Sequence, residues 1–132
     1  MAVRLVNPAS LAAPHGYAHA AVAAGRAVVL AGQIGCDASG RVAAPGDLVA
    51  QFARALDNLL VALAAAGGKP ADLAHLRVFV TDVAAYRADA KRIGEAWRAR
   101  FERHYPPMTL VEVKGLFDPA ALVEVEGLAY AD

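Results

Sequence analysis

Residues 106–130 read PPMTLVEVKGLFDPAALVEVEGLAY. Two runs rich in β-branched and other apolar residues, 108–114 and 122–130, flank a loop marked by Gly115, Asp118 and Pro119, so two strands are expected. Strict alternation puts Thr109, Val111 and Val113 on one face with Val123 and Val125, a set suited to packing beneath helices. The opposite set is Met108, Leu110 and Glu112 with Leu122, Glu124, Glu126 and Leu128. A face that mixes bulky apolar groups with carboxylates is wrong for bulk water and wrong for a dry core. It suits a sheet covered by other copies of the chain, and a homo-oligomer is expected on this ground alone.

Working back from this stretch, residues 3–5 suit a short strand ended by Asn7-Pro8. Residues 18–23 and 27–34 read as two strands joined in hairpin fashion at Gly25-Arg26. The second is so continuously apolar that cover on both faces is expected. Asp47 is a candidate N-cap, since its side-chain oxygen can accept an orphan backbone N–H. Leu48, Phe52, Leu56, Leu59 and Leu63 follow at helical spacings, and Gly67-Gly68 ends the helix. A strand over 76–80 precedes a second helical stretch that starts at Thr81-Asp82. Its stripe is Ala90, Ile93, Trp97 and Phe101, and Pro106-Pro107 stops it. The order is three strands, a helix, a strand, a helix and two strands. It predicts an α+β two-layer sandwich, a mixed sheet with two helices on one face, in one domain over 1–132.

Composition narrows the function. The chain has 132 residues, is 58% hydrophobic, and balances thirteen basic against thirteen acidic side chains. Without a basic excess or a basic stripe, nucleic acid is a poor partner. The single cysteine, Cys36, excludes an intrachain disulfide framework. The four histidines show no metal-ligand spacing, so no metal and no cofactor is expected. No apolar run reaches the roughly 20 residues that span a bilayer, and a cytoplasmic location is expected.

Several segments in this order carry a family likeness. They are Gly16-Tyr17-Ala18-His19-Ala20, Ala31-Gly32-Gln33-Ile34-Gly35, Gln51 through Ala55-Leu56-Asp57-Asn58-Leu59, and Ala65-Ala66-Gly67. Val78-Phe79-Val80-Thr81-Asp82, Pro106 through Val113 and Leu122 through Glu126 complete the set. Together they resemble the RidA/YjgF family of reactive-intermediate deaminases, once labelled endoribonuclease L-PSP. The resemblance implies a chorismate-mutase-like fold, a homotrimer around a central barrel, and clefts between adjacent subunits. In the active deaminases an arginine opens the penultimate strand and grips a substrate carboxylate. Met108 stands at that position here, and a thioether cannot make the two parallel hydrogen bonds of a guanidinium. Ala31 replaces a serine-like residue before Gly32, and Gly94 is the nearest counterpart of a cleft asparagine.

The resemblance implies Glu124 as the cleft acid/base and Tyr17 as a cleft wall or hydrogen-bond donor. A carboxylate can activate the water that attacks an imine and return the proton to the leaving nitrogen. Ala31, Gly32, Met108, Leu110 and His19 are the further candidates for contact with a small-molecule metabolite. Lys114, His19 or an arginine of a neighbouring chain could replace the missing grip. Glu126 reads as structural, Cys36 lacks a neighbouring base, and Arg87, Arg92, Arg98, Arg100 and Arg103 read as the wet side of the second helix. The expected activity is hydrolysis of an imine, enamine or related nitrogen compound. The alternative is a trimer that binds a metabolite without chemistry; an endoribonuclease or translation inhibitor fits less well.

Overall fold

The computed structural model describes residues 3–132. Six strands and three helices follow one another as β1 (Val3–Val6), β2 (Ala20–Ala23), β3 (Arg26–Gln33), α1 (Leu48–Ala65), β4 (Leu73–Val80), α2 (Val83–Ala88), α3 (Ala90–Phe101), β5 (Met108–Glu112) and β6 (Val123–Ala131). The strands β3-β6-β4-β5 form one sheet, antiparallel except for the parallel β4–β5 pair. Parallel neighbours need a long crossover, and α2 with α3 supplies it. The helices pack on one face, so the α+β sandwich is as expected.

The first helix is locally determined. Asp47 Oδ1 accepts from Ala50 N at 3.0 Å, and Leu48, Phe52, Leu56, Leu59 and Leu63 are buried against the sheet. At its end Gly68 N donates to Leu63 O and Gly67 N to Ala64 O, with Gly67 at φ +90°. This paired arrangement closes the last turn, and a left-handed residue is required for it. Although α1 has the length and hydropathy of a membrane span, its apolar stripe is the centre of the core.

Four expectations need correction. First, β2 and β3 are not a hairpin: β2 pairs with β1, and β3 pairs with β6. Gly25, at φ +113°, turns the chain out of one sheet into the other, and a Cβ there would collide with Ala131 O. A turn signal reports the reversal, not the partner. Second, β3 is covered on one face only. Val28 and Leu30 are buried, whereas Val29 is 82% exposed. Third, the second helical stretch is two helices, broken at Asp89, which is both the C-cap of α2 and the N-cap of α3.

The fourth correction concerns β5, whose faces are the reverse of those expected. Met108 and Leu110 pair with Leu76 and Val78, both buried beneath the helices. Paired residues share a face, so Met108 and Leu110 pack at the edge of the core while Thr109 and Val111 look outward. Glu112 is also on the helix side, where its Oε1 accepts from Val83 N, the first residue of α2, at 2.9 Å. The Val-Glu-Val of β5 repeats that of β6, yet the two strands present it oppositely. The helix-free face thus carries Val29, Arg77, Phe79, Val111, Glu124, Glu126 and Leu128.

Candidate functional site

Glu124 lies on the helix-free face of β6, opposite Phe79 of β4. Its other neighbour is a defect in the β3–β6 ladder. Leu30 pairs with Gly127 and Gln33 with Val125, so three steps along β3 match two along β6. The extra residue makes a bulge at Ala31 and Gly32, which frees backbone groups from the ladder and re-aims what surrounds them. The Glu124 carboxyl group occupies the space over Gly32, where a Cβ would collide with Oε2 and stand 2.9 Å from Cδ. Gly32 is therefore there for close approach.

The three carboxylates of the closing strands differ in their employment. Glu126 is held by Arg77 across the strand pair at 2.7 Å, as a structural residue should be. Glu112 caps α2. Glu124 is partly buried and, among the described residues, has neither an ion-pair nor a hydrogen-bond partner. Beside it, Ala31, Val29, His75, Arg77, Glu126 and Leu128 line a cavity of about 350 Å³.

Tyr17 belongs to the other end of the sheet. Ala18 N donates to Pro106 O at 3.3 Å and Leu76 N to Pro107 O at 3.0 Å, so the Tyr17 loop sits where β5 begins. His19 fixes that loop. Its backbone N donates to Asn7 Oδ1 at 2.8 Å, its ring Nε2 donates to Ala12 O at 2.7 Å, and its ring meets Tyr17 edge-on at 5.4 Å. These bonds give His19 a structural role in holding the loop. Tyr17 lines a cavity of about 470 Å³ whose walls include His15, Arg98, Arg103 and Tyr105. The cavity that Tyr17 lines does not include Glu124. Within one protomer the expected residues fall into two groups: Glu124 with Gly32, and Tyr17 with His19. Met108 follows Pro107 on the Tyr17 side, and Leu110 lies on the opposite face from Glu124.

Two polar residues of α1 anchor the backbone around Glu124 and Gly32. Gln51 is fully buried; its Nε2 donates to Ala44 O and Ala120 O, and its Oε1 accepts from Leu122 N at 2.8 Å. Asn58 Nδ2 donates to Ile34 O and Cys36 O, anchoring the chain that leaves the bulge. Polar side chains two turns apart on one face of an apolar helix were the signal for this role. Cys36 is half-buried with no base beside it, and the nearby Asp37 carboxyl is held below its ordinary range, chiefly by the Ser39 hydroxyl at 2.6 Å. Among the described residues no group of three His, Cys, Asp or Glu could hold a metal ion.

The profile of the family described as Endoribonuclease L-PSP matches residues 7–131. A RutC family protein of Pyrococcus horikoshii is 30% identical over 112 residues, which is 85% of this chain and 85% of that protein. Among solved structures, a Yersinia pestis protein of the conserved Rid family, YyfB, superposes with a TM-score of 0.89 at 32% identity over 98% of this chain and 99% of its own. The YjgF gene product of E. coli gives 0.68 at 29% identity, over 96% and 94% respectively. With sequence match, fold and the placing of the quoted motifs in agreement, the chain belongs to the RidA/YjgF family, also called endoribonuclease L-PSP.

Proposed function

We propose that the chain is a hydrolase of an imine, enamine or related small nitrogen compound, acting in clefts between the protomers of a cytoplasmic homotrimer. The observation that carries this reading is the unpartnered carboxylate of Glu124 over the Gly32 bulge. Glu124 takes a proton from water as the oxygen attacks the C=N carbon. It returns that proton to nitrogen, giving a carbinolamine, and then moves the hydroxyl proton to the same nitrogen as the C–N bond breaks, so that a carbonyl compound and ammonia leave. Ala31 and Gly32, released from the ladder, supply backbone groups to orient the water. Tyr17 of an adjacent protomer would close the cleft, since within one protomer it stands apart. The assembly is supported by the helix-free face, where Val29 at 82% and Val111 at 42% exposure stand among paired charges.

The test is ammonia release from imines generated in situ from a panel of amino acids and amines. Glu124→Gln is expected to abolish any turnover, while Glu126→Gln leaves it in place; full activity of Glu124→Gln removes the assignment. A non-catalytic binding trimer is favoured by one observation, the thioether of Met108 where the deaminases carry a guanidinium. Saturable ligand binding with no product across the panel would decide for it.

A further inference from the structure

We propose that Phe117 is a specificity-determining residue, whose ring holds the hydrocarbon end of an uncharged imine while the C=N group lies at Glu124. This rests on the preceding reading and deepens it by naming the substrate class.

Among the described residues Phe117 is the most open of the large apolar side chains, at 103% exposure. Burial of a phenyl ring is one of the larger gains a side chain offers, so a ring held out in water is free for a contact. The loop that carries it is firmly built. Val113 N donates to Val80 O at 2.8 Å, which fixes its start. Its end is fixed by buried Gln51, which binds Ala120 O and Leu122 N, and by Thr81 N donating to Leu122 O at 3.2 Å. Just after the ring Asp118 folds the chain on itself: Oδ1 accepts from Ala120 N at 2.9 Å and its carbonyl from Ala121 N at 3.0 Å. Leu116 is half-buried, so the loop turns one apolar side chain in and the next one out.

This loop joins β5 to β6 across the end of β4, which lies between them in the sheet. The first row of the helix-free face below that end is Val111, Phe79 and Glu124, since Phe79 pairs with both of the others. The Glu124 carboxylate therefore has an apolar flank in half-buried Phe79 and exposed Val111, and Phe117 stands on the rim of the same sheet end. A ring of identical copies that closes over this face brings one Phe117 to every seam. The neighbours of Phe117 along the loop include Lys114, Gly115 and Asp118, so the ring stands alone and not in the apolar cluster that makes an interface core. A lone flat ring matches a small ligand, whose sites are apolar with a few placed polar groups. The Asp118 carboxyl is engaged with Ala120 N, and Met108 at the head of β5 offers no cation. Lys114 is the one cation of the loop. An uncharged substrate also approaches Glu124 without repulsion between like charges.

The binding probes are benzamide, acetamide and benzoate, titrated calorimetrically into the full chain. Benzamide carries an uncharged planar head on a ring; acetamide lacks the ring, and benzoate exchanges the head for a charge. Benzamide should bind saturably, and the other two at least about tenfold more weakly. Phe117→Ala should weaken benzamide binding about tenfold and Phe117→Leu less, with the mass by light scattering unchanged. Turnover is compared for imines generated in situ from benzylamine and from ethylamine. Phe117→Ala should raise KM for the benzylamine-derived imine about tenfold, with a far smaller change in kcat. The proposal is overturned by equal affinity for benzamide and acetamide, or by unchanged benzamide affinity in Phe117→Ala. It is overturned equally if that variant falls to single protomers, since the ring is then interface packing, or if benzoate binds best and loses its affinity in Lys114→Gln. Glu124→Gln should retain benzamide affinity. If Phe117-dependent binding is found while Glu124→Gln keeps turnover, the catalytic reading fails and this subsite stands. If Glu124→Gln abolishes turnover while Phe117→Ala leaves benzamide affinity and KM unchanged, only the subsite falls.

Discussion

The carboxyl group of Glu124 rests on the bare Cα of Gly32, at the point where β3 carries one residue more than β6 can match. The bulge and the glycine act together. One opens the ladder and the other leaves room for a side chain with no other partner.

Gly32→Ala tests this relationship. The new methyl group meets the far end of a flexible side chain, so Glu124 can swing aside and the backbone need not move. Alanine in a strand is favoured over glycine by about 0.5–1 kcal/mol, so stability should be unchanged or slightly higher. Turnover of the imine panel should fall at least about tenfold, which corresponds to only about 1.4 kcal/mol of lost transition-state stabilisation. A variant that keeps full activity would show that the Glu124 carboxyl does not need this seat.

Val29→Lys addresses the assembly. Val29 is 82% exposed at the middle of β3, on the face expected to close the barrel. A lysine there would have to be buried unpaired, which costs several kcal/mol. Light scattering should report a multiple of the 13.7 kDa protomer for the parent chain and a single protomer for the variant. An oligomer unaffected by the substitution would place the interface elsewhere.

What was legible in the sequence divides by range. The α1 helix could be read whole because its cap, stripe and stop are all local: Asp47, Leu48 through Leu63, and Gly67-Gly68. The face of β5 could not. It is set by register against β4, a partner reached through two helices, and a slip of one residue exchanges every side chain between faces. Glu124 was singled out from Glu126, and the distinction has a physical basis in Arg77, which binds only the latter. Arg98 and Arg103 read as charges on the wet side of the second helical stretch, and both are exposed.

Gln51→Leu should be strongly destabilising despite its added apolar surface. Three partly buried backbone groups, Ala44 O, Ala120 O and Leu122 N, lose their partner. A buried group left unpaired costs about 1–3 kcal/mol, and water reaches these in part, so a total loss of about 3 kcal/mol is expected. Urea unfolding should show a lower midpoint with the same slope. Leu122 is two residues from Glu124, so the activity of the folded fraction should drop as well. An unchanged midpoint would mean that the two loops do not depend on this side chain.

Glu102→Gly should stabilise the chain. The left-handed φ of +56° costs a residue with a Cβ about 1–3 kcal/mol, and glycine's greater freedom when unfolded returns part of that. A net gain of about 1 kcal/mol is expected, visible as a raised unfolding midpoint. Destabilisation would imply that the Glu102 side chain contributes more than its backbone costs.

Tyr86 makes stability fall at alkaline pH. Its ring packs edge-on against Phe52 with centroids 6.1 Å apart, and burial pushes its phenol up from 10.0 to about 12. Below pH 10 both folded and unfolded chains keep the proton, and the group has no effect on stability. Between about pH 10 and 12 the unfolded chain releases the proton while the folded chain holds it, so rising pH favours unfolding. The full span is about 2–3 kcal/mol, lost progressively across that window. Tyr86→Phe removes the titrating group and keeps the ring. Urea midpoints measured from pH 9 to 12 should therefore fall more steeply for the parent chain than for the variant, and parallel curves would show that the folded protein admits the phenolate.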